Sequence, residues 1–348
     1  MAPLALLIIL LSMALGTLLA ISSSHWLLAW MGLELNTIAI LPLMAFRHFP
    51  RAVEACTKYF LIQASASALF LFASINNAWT SGEWDIQQMN HPIPTTLISI
   101  ALASKVGLAP LHAWLPEVIQ GVNLPTGLIL STWQKIAPLT LLMQINIPNP
   151  TLFIFLGVSS VLIGGWAGLN QTQLRKMLAY SSIAHTGWMV LVMQFAPSLA
   201  LFNFLVYSIM TSAAFLTFIF LGSTSLTSLS TTWTKAPVLA SLGLLTFLSL
   251  AGLPPLVGFS PKLLILQELV KNQLYLVSTL AALSVLLSLF FYVRTVMMMI
   301  LTIGPNTIMT SAPWRLNNTK PSLLIALSTS LSIFMLPLTP TIMTLIIP

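Results

Sequence analysis

The sequence predicts an all-α integral membrane protein of about eleven transmembrane helices, read as two inverted five-helix repeats plus a C-terminal helix. Three observations carry that expectation. First, 57% of the 348 residues are hydrophobic and 5% are charged, against about 25% charged in ordinary globular chains. Thirteen basic and six acidic side chains cannot clothe a water-facing surface of this size, so most of the exterior must face lipid. Second, apolar stretches of the roughly 20 residues that cross a hydrocarbon core follow one another along the whole chain. Third, Gly107-Leu-Ala-Pro-Leu111 recurs as Gly252-Leu-Pro-Pro-Leu256, 145 residues later.

The spans are expected, in order, near 3–22, 26–45, 52–75, 95–115, 126–145, 151–170, 175–195, 198–222, 238–268, 272–302 and 322–346. The first lacks the basic flank of a secretory signal, and the second follows after only Ser22-Ser23-Ser24-His25, so it reads as a retained helix. Glu34 stands near the middle of the second span. Glu54 and Lys58 open the third at i,i+4 spacing, which suits a surface ion pair with a snorkelling lysine as well as a branch of an ion pathway. The fourth carries Lys105, the Gly107–Leu111 interruption and then Pro110-Leu-His-Ala-Trp-Leu-Pro116 with His112. Lys135 lies mid-way along the fifth. In the sixth, Gly164-Gly165-x-x-Gly168 sits in an apolar run and reads as close helix packing. His185 lies in the seventh among Ser181, Ser182 and Thr186. The ninth is interrupted at Gly252, with Lys262 beyond the break. Glu117 reads as solvated, and Glu268 with Lys271 as an interfacial pair; Trp79 and Trp84 suit interface anchors.

Within this layout the chain is one integral-membrane domain, with a first repeat at 3–145, a second, inverted one at 151–302 and a last helix at 322–346. Five helices per repeat, an odd number, turns the second repeat upside down, and paired interrupted spans are the mark of such transporters. One set of loops carries Arg47, Arg51, Arg175, Lys176, Lys235, Arg315 and Lys320, while the long loop 76–94 on the other side carries Glu83 and Asp85. The positive-inside rule therefore places the N-terminus and the Arg47-His48-Phe49-Pro50-Arg51 turn on the cytoplasmic or matrix side. The sequons at Asn170 and Asn317 then face the non-glycosylating side. The net charge of +7 reports loop bias rather than nucleic acid.

Four ionisable residues stand at bilayer depth: Glu34, Lys105, Lys135 and Lys262. Each costs about 2.5–3.5 kcal/mol on insertion scales, roughly 10–14 kcal/mol together. One carboxylate cannot neutralise three amines. A structural ion pair is one reading. The other is a proton relay, because burial readily discharges lysine and a movable carboxylate can recharge it. His112 and His185 are relay candidates on the same grounds, or a carbonyl cap and a packing histidine respectively. The single cysteine, Cys56, cannot supply an iron–sulfur or zinc site, and no G-x-G-x-x-G or Walker motif occurs. No cofactor is expected in this chain.

Four segments together resemble the antiporter-like membrane subunits of respiratory complex I, the proton-pumping NADH:ubiquinone oxidoreductase, in the form encoded by animal mitochondrial DNA. They are Trp30-Met-Gly-Leu-Glu34-Leu-Asn36, Ser104-Lys105 through Pro116-Glu117, Trp133-Gln-Lys135-Ile-Ala-Pro138 and Gly252 through Pro261-Lys262. The likeness runs nearly end to end, and eleven spans rather than fourteen fits animal forms that lack three N-terminal helices. It implies a membrane-arm subunit in the mitochondrial inner membrane with its basic face in the matrix. Its partners would be neighbouring membrane-arm subunits and lipid, cardiolipin included, and no nucleic acid. NADH, FMN, iron–sulfur clusters and ubiquinone would react in other subunits. By resemblance Glu34 partners Lys105, Lys135 is the central relay lysine, Lys262 stands on the second broken helix, and His112 and His185 belong to a hydrated path. Some relatives carry glutamate at the Lys262 position, which leaves the terminal step variable. A self-contained cation/proton antiporter and a structural scaffold are the rival readings.

Overall fold

The structure is a computed structural model that describes residues 3–46, 49–89, 91–145, 150–300 and 323–346. Arg47, His48, Arg315, Asn317, Lys320 and the ends of the last two expected spans at 301–302 and 322 lie outside the described residues. Among those described, the regular secondary structure is helical. The chain falls into two compact units, Met1–Ser159 and Ser160–Pro348.

The first unit holds α1 (Pro3–Ser22), α2 (Trp26–Ala45), α3 (Pro50–Ser81), α4 (Pro92–Val106), α5 (Trp114–Gly121), α6 (Leu124–Ser131) and α7 (Trp133–Gln144). The helix α8 (Thr151–Gly168) runs from the first unit into the second. The second continues with α9 (Leu174–Met193), α10 (Pro197–Leu221), the short α11 (Leu226–Ser230) and α12 (Thr232–Lys235), then α13 (Pro237–Ala251), α14 (Phe259–Lys271), α15 (Tyr275–Ile300), α16 (Leu323–Phe334) and α17 (Thr339–Ile346). Proline opens α3, α4, α10 and α13, where its missing N–H breaks no hydrogen bond and its fixed φ suits a first turn.

Six helices among the described residues, α1, α2, α3, α8, α10 and α15, are long and apolar enough to cross a membrane, and the α16–α17 pair, bent by 68°, makes a seventh. Their outward faces are apolar, as at Leu4 and Leu18 on α1, Leu61 on α3 and Leu286 on α15, each more than half exposed. Serine and threonine inside the spans turn their hydroxyls back onto carbonyls three or four residues earlier, as Thr211 does onto Tyr207 O at 2.8 Å and Ser249 onto Thr246 O at 2.7 Å. Each hydroxyl is thereby satisfied without water.

Three elements differ from their expected outlines. The third is longer, 32 residues, because Gly82 in the left-handed region stops it only after the polar stretch Asn76–Ser81. The fifth expected span breaks at Thr132, whose backbone turns to φ −112° and ψ −68° and whose carbonyl accepts from Lys135 N–H. The last span bends at the 3-10 turn Leu336–Leu338, around Pro337.

In the first unit α1 packs on α2, α2 on α3, α3 on α4 and α5, and α4 on α7. The loop before α2 pairs with the loop after α3 through a His25–Asp85 bridge, with the His25 ring stacked on Trp84 at 5.3 Å. In the second unit α9 packs on α10, α10 on α13 and α13 on α15. There the loop before α9 pairs with the loop after α10 through a Gln173–Ser225 bridge.

Candidate functional site

Among the described residues, the ends of the two shorter apolar helices α4 and α13 are built alike. Residues 103–107 close α4 with Gly107 at φ +84°, its N–H donating to Ala103 O, and α13 closes with Gly252 at φ +82°, its N–H donating to Ser249 O. Only glycine takes this left-handed backbone freely. A stretch of irregular chain follows, and then α5 or α14 resumes.

Lys105 and Lys262 meet these two ends, and Lys135 stands at the break between α6 and α7. Lys105 stands in the last turn of α4 and is 6% exposed; its Nζ is buried without a hydrogen-bond partner. Lys135 is 3% exposed in the first turn of α7. Both line one cavity in the first unit, together with Asn36, Tyr59, Gln63 and Gln134. It leaves about 20 Å³ for the centre of a water molecule, more than the roughly 10–15 Å³ that one water needs. Lys262, 8% exposed, reaches back from α14 to donate to Ala251 O at 2.8 Å and Leu250 O at 3.4 Å, so its amine caps the carbonyl end of the broken α13. A Cβ at position 252 would lie 2.8 Å from that Nζ, so the turn glycine also makes room for the lysine. Helix ends bias these positions: Lys105 and Lys262 meet C-terminal ends, which favour a cation, and Lys135 sits at an N-terminal end, which does not.

Glu34 is half-buried on α2. Its Oε2 accepts from the Thr37 hydroxyl at 3.2 Å, while Oε1 is buried without a partner. It lies within electrostatic range of Lys105, but no ion pair of 4.0 Å or less joins them. Thr37, not Glu34, lines the lysine cavity, so the hydroxyl links acid and cavity. His112 is half-buried in the interruption after α4, its Nδ1 3.3 Å from Pro110 O, and it does not line that cavity. His185, 5% exposed in the middle of α9, shares a smaller cavity of the second unit with Lys262, Trp188, Ser288 and Tyr292, and its ring lies 5.4 Å from that of Tyr207.

Several other charged side chains have partners within the protein. Lys58 meets Glu54 at 2.7 Å, as expected, and also Glu117 at 2.8 Å, so Glu117 ties α5 to α3 rather than standing alone in solvent. Lys271 and Glu268 pair at 2.5 Å. Arg294, inside the tenth expected span, donates to Leu169 O at 2.9 Å just past the end of α8. Among the described residues no group of three His, Cys, Asp or Glu side chains could hold a metal ion.

Amines held in the interior of apolar helices, beside water-sized space and at breaks between helices, are what an ion-translocating membrane subunit needs. Residues 23–290 match the family described as NADH:quinone oxidoreductase/Mrp antiporter, TM, and residues 289–343 match the NADH dehydrogenase subunit 2 C-terminus. The NADH-ubiquinone oxidoreductase chain 2 of Tetraodon nigroviridis is 60% identical over 97% of both chains, and that of Salmo salar 58% identical over 99% of both. A chain of respiratory complex I from Thermus thermophilus, solved with bound aureothin, superposes with a TM-score of 0.84 at 28% identity, covering 97% of this chain and 78% of that one. The chain belongs to the NADH-ubiquinone oxidoreductase chain 2 family, the antiporter-like membrane subunits of proton-pumping complex I.

Proposed function

We propose that this chain relays protons from the matrix to the intermembrane space through Glu34, Lys105, Lys135 and Lys262, with His112 and His185 on hydrated stretches of the route. In this reading the chain sits in the mitochondrial inner membrane with its N-terminus in the matrix. The redox chemistry of NADH, FMN, iron–sulfur clusters and ubiquinone belongs to other subunits. Neighbouring membrane-arm subunits and lipid, cardiolipin included, cover its apolar flanks.

The observation that carries the reading is the shared cavity of Lys105 and Lys135, wide enough for water, with the Lys105 amine unpartnered beside it. A nearby carboxylate favours the charged form of an amine, and its withdrawal lets burial favour the neutral one. Redox energy released elsewhere changes the separation or hydration of Glu34 and Lys105, and the proton then moves on to Lys135. Lys262 and His185 form the station of the second unit. Moving one charge against 100 mV takes about 2.3 kcal/mol, which a roughly 50-fold swing in proton affinity supplies at 1.36 kcal/mol per tenfold.

The same reading takes the chain as eleven spans, with repeats at 3–145 and 151–302 and a last helix at 322–346. Three correspondences support it: the left-handed glycines 107 and 252 at interrupted helices, the left-handed glycines 82 and 222 that end α3 and α10, and the loop bridges His25–Asp85 and Gln173–Ser225. An odd number of spans per repeat inverts the second.

The test is Lys105→Met in the assembled complex reconstituted in vesicles. Assembly and quinone reduction persist while fewer protons move per NADH oxidised. Unchanged coupling would reject the assignment, and cation flux through the isolated chain would favour an autonomous antiporter.

A further inference from the structure

We infer that Asn36 is a positioning residue of the relay, whose carboxamide fixes the water through which a proton passes from Lys105 to Lys135. The inference rests on the relay reading above and adds a residue to it. Asn36 is 2% exposed, yet neither its Nδ2 nor its Oδ1 has a hydrogen-bond partner within the protein. A buried carboxamide left unpaired is expensive, and a leucine of similar size would fill the same space without that penalty. The amide lines the cavity that Lys105 and Lys135 also line.

Its surroundings hold it in place without engaging its polar atoms. Gln134, the residue before Lys135, donates to the main-chain carbonyl of Asn36 at 3.2 Å and ties α7 to α2 at this point. Thr37, the next residue, holds Glu34 Oε2. On the other flank, Gly16 of α1 leaves the space the amide needs, since a Cβ there would stand 3.1 Å from Oδ1. Glu34, Asn36 and Thr37 therefore put an acid, an amide and a hydroxyl within one turn of α2, and the amide and hydroxyl border the amines' cavity.

The proton step balances through one water. An Nζ–H bond of charged Lys105 breaks as an O–H bond forms on the water. Another O–H bond of that water breaks as an N–H bond forms on neutral Lys135, and the water is regenerated. Asn36 exchanges no proton. Its Nδ2–H donates to the water oxygen, while its Oδ1 lies toward Gly16 of α1.

The experiment compares Asn36→Leu, Asn36→Ser and Lys105→Met in the assembled complex, reading protons moved per NADH beside quinone reduction with the gradient collapsed. Asn36→Leu is expected to halve the protons per NADH or worse while uncoupled quinone reduction stays near wild type. Asn36→Ser, a small hydroxyl that admits and binds water, restores much of the loss. Full pumping by Asn36→Leu alongside a defective Lys105→Met would overturn the role of Asn36 and leave the relay standing; full pumping by both would remove the relay itself. If Asn36→Leu does not assemble, Asn36→Ala replaces it, and equal pumping by the alanine and serine variants overturns the proposal. In a high-resolution density map of the wild-type complex, a water within about 3.2 Å of both the Asn36 amide and a lysine Nζ is expected, and its absence there counts against the inference.

Discussion

Gly252 and Lys262 show how one backbone dihedral and one side chain depend on each other. The glycine takes φ +82°, and a Cβ on it would meet the lysine Nζ at 2.8 Å and Cδ at 3.0 Å. Gly252→Ala therefore carries the left-handed penalty of about 1–2 kcal/mol and also displaces the amine from the carbonyls of Leu250 and Ala251. Gly222→Ala, at φ +63° with no heavy atom within 4 Å, carries the conformational penalty alone. Both variants are expected to lower the thermal midpoint of the complex, but only Gly252→Ala lowers the protons moved per NADH; identical pumping in the two would break the link between this turn and the lysine. The three buried lysines of the candidate site were legible in the sequence because an ionised group inside an apolar run has no cheap bland explanation. Asn36, Thr37 and Gln134 were not, since uncharged polar residues occur throughout these spans and only the packing reveals which of them border a cavity. Arg294 binds a carbonyl just past α8, a partner set by the packing of α15 rather than by any local pattern.

At the level of elements, the interruptions after α4 and α13 were readable because glycine and proline stand together inside apolar runs. The interruption between α6 and α7 carried no such signal, as Ser131 and Thr132 are common within helices; it shows only in the Thr132 backbone, at φ −112° and ψ −68°. That second break sets Lys135 in the opening turn of a helix rather than in the middle of one. The resumed helix α5 is fixed to α3 at two places: Gly121 lies against the Arg51 carbonyl and Ala55, and Lys58 sits between Glu54 and Glu117. Lys58→Met leaves two carboxylates facing each other without a cation, whereas Glu117→Gln leaves the Lys58–Glu54 pair intact. The lysine variant is thus expected to melt lower than the glutamine variant in a thermal scan of the purified complex, and the reverse order would deny the clamp.

For the molecule as a whole, composition indicated a chain in lipid and the length of its apolar runs indicated helices, and the apolar outer faces of α1, α3 and α15 agree. The recurrence of a five-residue phrase anticipated matching interruptions, but not the matching loop bridges, because those are made by main-chain atoms that any residue supplies. The proposed orientation rests on the loop charges and is open to labelling. With Cys56 replaced by alanine, Glu83→Cys is expected to react with a membrane-impermeant maleimide from the intermembrane-space side, and Lys176→Cys from the matrix side. The opposite pattern would invert the topology and with it the direction assigned to the relay.

The close seating of α1 on α2 bears on how Glu34 can move at all. A Cβ on Gly16 would lie 2.9 Å from the Gly32 carbonyl, and one on Gly32 would lie 2.7 Å from the Ala20 nitrogen, so the two backbones touch with no side chain between them. Glu34 follows Gly32 by two residues. Main-chain motion that draws the carboxylate away from Lys105 must therefore drag both helices along as a single stiff paddle; the lighter alternative is for the side chain to let go of Thr37 and swivel. A bulky residue wedged in at Gly16 would separate the two blades and disturb the carboxylate without touching it.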